Sequence, residues 1–143
     1  MTKASLAAFA CALVTACAGT TRDVAQIQRT QYAIDEATAS VLVRDSLEEY
    51  PLVERGKSDR LETRWLRGRD GSAYKLVVRI DGPGGGPFMV HVETKLRTKS
   101  GAIVERDIPA WLANERDRVA IEIYDRMKPA AIVPQAPATV AAQ

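Results

Sequence analysis

Residues 74–80 and 88–96 alternate apolar and polar side chains so regularly that they read as strands of a sheet covered on one side. Tyr74, Leu76, Val78 and Ile80 interleave with Lys75, Val77 and Arg79. Phe88, Val90, Val92, Thr94 and Leu96 interleave with Met89, His91, Glu93 and Lys95. A period of two with one apolar side places one face on a core and the other toward water. An earlier run shows the same pattern, with Leu61, Thr63 and Trp65 alternating with Glu62, Arg64 and Leu66. Asp70-Gly71 supplies a tight turn between the first two runs. The segment from Asp81 to Pro87, which includes Gly84 and Gly85, supplies a wider turn before the third. The three runs predict an antiparallel meander, and Ile103-Val104 offers a short fourth strand.

Helices are expected on either side of this sheet. Residues 31–49 carry Tyr32, Ile34, Ala37, Ala39, Val41, Leu42, Val43 and Leu47 with no Gly or Pro. That uninterrupted length exceeds a typical strand and favours helix. Tyr50-Pro51 closes it, because the residue before a proline resists helical angles. Pro51-Leu52-Val53 then reads as a short strand or a connector. Near the other end, Leu112, Val119, Ile123 and Met127 lie on one helical stripe. Asp107 is expected to cap that helix, with Pro109 in its first turn.

The fold class that follows is α+β, in two layers. A three- to four-stranded antiparallel meander packs on an N-terminal and a C-terminal helix, within a single domain spanning 31–128. Leu61, Trp65, Leu76, Val78, Ile80, Phe88, Val90 and Val92 are expected to be buried against Leu112, Val119 and Ile123. Residues 17–30, small and polar, read as a tether. Residues 129–143, rich in Pro and Ala and without charge, read as a disordered tail. Cutting the chain after Lys128 is therefore expected to leave thermal stability nearly unchanged.

The first residues point to export. One basic residue, Lys3, precedes an uncharged run from Ala4 to Ala16, the length of a signal-peptide core and too short to cross a bilayer as a helix. The run ends in Val14-Thr15-Ala16-Cys17, which resembles the lipobox of bacterial lipoproteins. That resemblance implies removal of residues 1–16 and a diacylglyceryl thioether on Cys17. It thus implies a partner in the membrane itself, since several acyl chains together anchor a protein stably. An ordinary secretory signal cut after Ala16 or Ala18 is the alternative. Ala18, where an Asp would retain an enterobacterial lipoprotein at the inner membrane, favours the outer membrane facing the periplasm.

Composition limits the chemistry. Cys11 falls in the removed leader and Cys17 carries the lipid, so the remaining 127 residues are expected to fold without a disulfide. The formal charge of +2 falls to +1 once Lys3 is gone, a balance that argues against nucleic acid as a partner. His91 is the sole histidine, and neither a second histidine nor a free cysteine accompanies it as a metal ligand. It shares a face with Glu93, so the two can form a carboxylate–histidine pair. The run Gly84-Gly85-Gly86 lacks the Lys-Ser/Thr that a phosphate loop needs and reads as a turn. No serine lies in a recognisable nucleophile motif. No cofactor is expected, and an enzyme is not.

The order of elements itself resembles a known domain. A helix is followed by Leu61-Glu-Thr-Arg-Trp65, then Tyr74-Lys-Leu-Val-Val-Arg-Ile80, then Phe88-Met-Val-His-Val92, then a closing helix. This is similar to the helix-grip domains of BamC, the lipoprotein of the β-barrel assembly machinery, over residues 31–127. That family carries two such units where this chain has one. The resemblance implies accessory binding in envelope assembly, with an envelope protein or the cell wall as partner. The expected contact surface is the open sheet face around Arg64, Lys75, Arg79, His91 and Glu93, together with the glycine loop at Gly84 and Gly85. A small ligand carrier or hydrolase with an unfamiliar site is the alternative.

Overall fold

A computed structural model describes residues 23–54, 57–83 and 86–133. Cys17, Gly84 and Gly85 lie outside them, as does the leader. Among the described residues three α-helices, α1 (Val24–Gln28), α2 (Glu36–Ser46) and α3 (Ala110–Met127), accompany six strands. The strands are β1 (Gln31–Tyr32), β2 (Arg60–Glu62), β3 (Leu66–Arg67), β4 (Ala73–Asp81), β5 (Phe88–Arg97) and β6 (Ile103–Val104). They pair antiparallel in the order β1-β5-β4-β2, with β3 also on β4 and β6 on β5. The α+β class and the antiparallel sheet are as expected, but the strand count is six rather than three or four.

The long alternating runs dictate the centre. β4 and β5 pair from Ala73↔Arg97 to Asp81↔Met89, so Leu76, Val78 and Ile80 share an inner face with Val90, Val92 and Leu96. All six are buried, and all but Leu96 share one core cluster with Ala39, Val43 and Leu47 of α2 and its end and with Val119, Ala120, Ile123 and Met127 of α3. Asp70 (φ 57°) and Gly71 (φ 74°) both take the left-handed conformation that the turn before β4 requires.

The expected helix over 31–49 is divided. Tyr32, 1% exposed, enters the sheet in β1 opposite Phe88. The Asp35 carboxylate accepts the Thr38 N–H at 2.8 Å and the Thr38 hydroxyl at 2.7 Å, which sets the start of α2. The helix stops at Leu47, whose N–H closes onto Val43 and Arg44, before Pro51 is reached. Leu52 then bridges to Thr63, so the Pro51–Val53 stretch flanks β2.

Trp65 corrects the expected register. Glu62 pairs with Val77 and Leu66 with Tyr74, so three residues, Thr63–Trp65, lie opposite two, Lys75 and Leu76. The extra residue is a β-bulge, and it inverts the alternation beyond it. Thr63 stays inside, fully buried, with its hydroxyl accepting the Leu76 N–H at 3.0 Å. Trp65 moves to the outer face, 37% exposed. Asp107 is corrected too: its φ is 53°, and α3 starts at an N-cap Pro109 with no side-chain cap.

Both expected domain limits move outward. Asp23 caps α1 by accepting the Ala25 and Gln26 N–H groups, and α1 packs on α3 and β5 with Ile27 buried. The tether assigned to 17–30 therefore belongs to the fold from Asp23 onward. At the far end, Ala131 bridges to Tyr32, and the Ile132 N–H donates to the Gln31 carbonyl at 2.8 Å. The segment after Lys128, expected to be a disordered tail, is thus docked as far as Ile132.

Candidate functional site

The antiparallel register sends Lys75, Val77, Arg79 and Asp81 of β4 and His91, Glu93 and Lys95 of β5 to the face without helices. The structure therefore gathers Lys75, Arg79, His91 and Glu93 on one surface, as the alternation implied. Arg64 is exposed in the bulge at its margin. Charges on this surface are arranged as a ladder. Glu62 lies between Lys75 Nζ at 2.6 Å and Arg60 at 2.7 Å. Arg79 donates to Glu93 at 2.7 Å and lies 3.2 Å from Asp81. His91 Nε2 is 3.6 Å from Asp81, which replaces the pairing with Glu93 that sequence spacing suggested. Lys95 reaches Glu105 at 3.0 Å.

These pairs shift the proton equilibria in the directions their geometry requires. The hydrogen bond from Lys75 holds the Glu62 carboxyl below its usual range despite some desolvation. The hydrogen bond to Glu93 raises the affinity of the Arg79 guanidinium for its proton. Val77 sits among them fully buried, between its cross-strand partners Glu62 and Glu93. Long charged side chains such as its neighbours can lay their aliphatic stems over an apolar residue while keeping the charged heads in water.

The bulge gives the ladder an aromatic end. Arg97 stacks over the Trp65 ring at 4.6 Å from its centroid, and Lys75 Nζ lies at 5.5 Å. Arg67 and Arg97 both pair with Ala73, so the smallest side chain of β4 lies between two guanidinium-bearing strands. Ile103, half exposed, is paired with Arg97 on the other side. Just beyond, Arg69 lies 5.9 Å from the Trp111 ring, which meets Tyr74 edge-on at 5.5 Å. Arg64, Arg67, Arg69, Arg97 and Lys99 form no ion pair with a carboxylate among the described residues. The sequence hid this cluster, since simple alternation buries Trp65 and separates it from Arg97.

A second polar group was not foreseen. Tyr50, Glu115 and Arg118 meet where the segment after α2 crosses α3. The Tyr50 hydroxyl donates to Glu115, while Arg118 donates to Tyr50 and, at 3.0 Å, to Glu115. Burial, reinforced by Glu115, pushes the Tyr50 phenol well above its usual range. The Arg118 hydrogen bond keeps the Glu115 carboxyl below its own, against an opposing desolvation. Both shifts move these groups away from neutrality, so the cluster ties two elements together and holds no proton poised for transfer.

A pH test follows from these signs. Glu115 has a lowered folded pKa, so its stabilisation is full above the unfolded carboxyl value and is lost as pH falls through the folded one. Tyr50 has a raised folded pKa, so its contribution is present below the ordinary phenol value and fades as pH rises through the folded one. Urea midpoints measured across pH are expected to show a shallower acid limb in Glu115→Gln and a shallower alkaline limb in Tyr50→Phe. Unchanged limbs in both variants would refute the assignment.

Searches against protein-family models, curated proteins and solved structures return no match to this chain.

Proposed function

We propose that the protein is a lipid-anchored cell-envelope protein, attached through Cys17 and acting by binding rather than by catalysis. It serves as an accessory subunit in envelope assembly or maintenance, on the outer membrane and facing the periplasm. Its partner is another envelope protein or the cell wall. The observation that supports this best is the outer sheet face, where a ladder of paired charges ends in exposed Trp65 stacked against Arg97. Half-exposed aromatic and arginine side chains are the types that anchor protein contacts. The lipobox supports the anchor, and the likeness to the BamC helix-grip domains points to the same class of task. A carrier would hold its ligand between sheet and helices. That space is filled by Leu76, Val78, Val92, Val119 and Ile123, each at most 3% exposed.

Two measurements test the proposal. Cys17→Ser is expected to abolish acyl labelling and release the protein from membranes; retained labelling and attachment would defeat the anchor. A photocrosslinking residue at Arg64, beside the ladder, is expected to capture an envelope component in cells. The same residue at exposed Val41 on α2 serves as control. Capture from position 41 and none from position 64 would place the contact elsewhere.

A further inference from the structure

We infer that the end of the outer face farthest from residue 23 is a docking site for a carboxylate-rich polypeptide segment, held by Arg67 and Arg97 on either side of Ala73 with Trp65 beside them. This rests on the reading of the outer face as the contact surface and names the chemistry of its occupant. Along most of that face each cation has a carboxylate: Lys75 has Glu62, Arg79 has Glu93 and Asp81, and Lys95 has Glu105. At the last row the pattern stops. Arg67 and Arg97 have no such partner among the described residues, and Arg64, Arg69 and Lys99 add exposed positive charge at the rim. Charge left unmatched at one end of a matched surface is complementary to an acidic partner.

The geometry suits an extended acidic chain. Arg67 and Arg97 stand on strands two apart, about 10 Å between backbones. Alternate side chains of an extended segment are about 7 Å apart. Two carboxylates of such a segment can therefore each meet a guanidinium, and the low Ala73 floor leaves room between them. Stacking on Trp65 restricts Arg97 while leaving its N–H edge available, which reduces the ordering lost on binding. Ile103, on the same row, offers apolar surface to a residue beside the acids.

An anionic bilayer fits less well. β1 and α1 lie at the Phe88 end of β5, and Arg97 is nine residues farther along it, about 30 Å away. A chain held at Cys17 reaches Asp23 within at most about 20 Å, so the basic end points away from its own membrane when the domain stands upright. A domain lying flat on that membrane would press Glu93, Asp81 and Glu105 onto the same anionic surface.

The test uses the full chain carrying Cys17→Ser and a fluorescein-labelled peptide of alternating Glu and Thr, followed by anisotropy. Binding is expected to weaken with added salt. It is expected to fall about tenfold or more in the double variant Arg67→Glu/Arg97→Glu. Ala73→Glu, which places a competing carboxylate between the two arginines, is expected to weaken binding as well and serves if the double variant loses its circular dichroism. Arg29→Glu, exposed at the opposite end, is expected to bind as the parent does. No binding by the parent would overturn the inference, as would equal loss in Arg29→Glu. Capture of the chain by phosphatidylglycerol vesicles, through the same arginines and in place of the peptide, would also overturn it. Crosslinking from position 64 with no peptide binding would reject the acidic occupant alone; failure of both would reject the contact surface itself.

Discussion

Replacing Leu76 by alanine is expected to cost about 2–5 kcal/mol, whereas replacing Trp65 by alanine is expected to cost about 1 kcal/mol. Leu76 is fully buried in the core that the sheet shares with α2 and α3, so its loss leaves a cavity that the surroundings close only in part. Trp65 is the larger side chain, yet it lies on the outer face and gives up mainly two cation–aromatic contacts. Denaturant unfolding of the two variants measures the difference. A Trp65→Ala cost equal to that of Leu76→Ala would mean that the bulge at Thr63–Trp65 is absent and that Trp65 points inward.

Ending the chain after Lys128 is expected to cost about 2–3 kcal/mol, or a fall in Tm of about 10 °C. The truncation deletes the Ala130 carbonyl that accepts the Ala33 N–H at 2.8 Å, and the Ile132 N–H that donates to Gln31 at 2.8 Å. It also removes Ala131 from its bridge to Tyr32, one of the largest enclosed side chains. Burial raises the Tyr32 phenol to about 12, in keeping with that enclosure. Ending the chain after Val133 instead retains all of these contacts and is the control. Equal melting temperatures for the two truncations would show that residues 129–133 contribute nothing.

The contrast between these segments shows what the sequence could disclose. In β4 and β5 the alternation runs unbroken, so parity alone assigns Leu76, Val78, Val90 and Val92 to the core and Arg79, His91 and Glu93 to the open face. Across Thr63–Trp65 one added residue reverses the parity. Nothing in the side chains marks the insertion, because Thr63 and Trp65 are both acceptable inside. The split of 31–49 was legible in part: Asp35 is a good N-cap residue, but Tyr32 and Ile34 also fit helical spacing and masked β1. The Tyr50–Glu115 contact joins residues 65 apart and leaves no local signal. The basic end needed two facts together, the bulge and the pairing of both Arg67 and Arg97 with Ala73.

The clamping of β1 has a mechanical consequence. Tyr32 is paired on one side with Phe88 and on the other with Ala131, so the strand that follows α1 is gripped from both flanks. If tension were applied between the N-terminal lead and a partner held at Arg97, it would run nearly along β5. Antiparallel hydrogen bonds lie perpendicular to their strands, so such a pull loads them side by side in shear rather than one after another. Once α1 has come away, resistance would come from β1 and the 130–132 segment acting together, which makes the docked C-terminal stretch a brace against further extraction of the N-terminal lead. The truncation after Lys128 would then yield at lower force as well as at lower temperature.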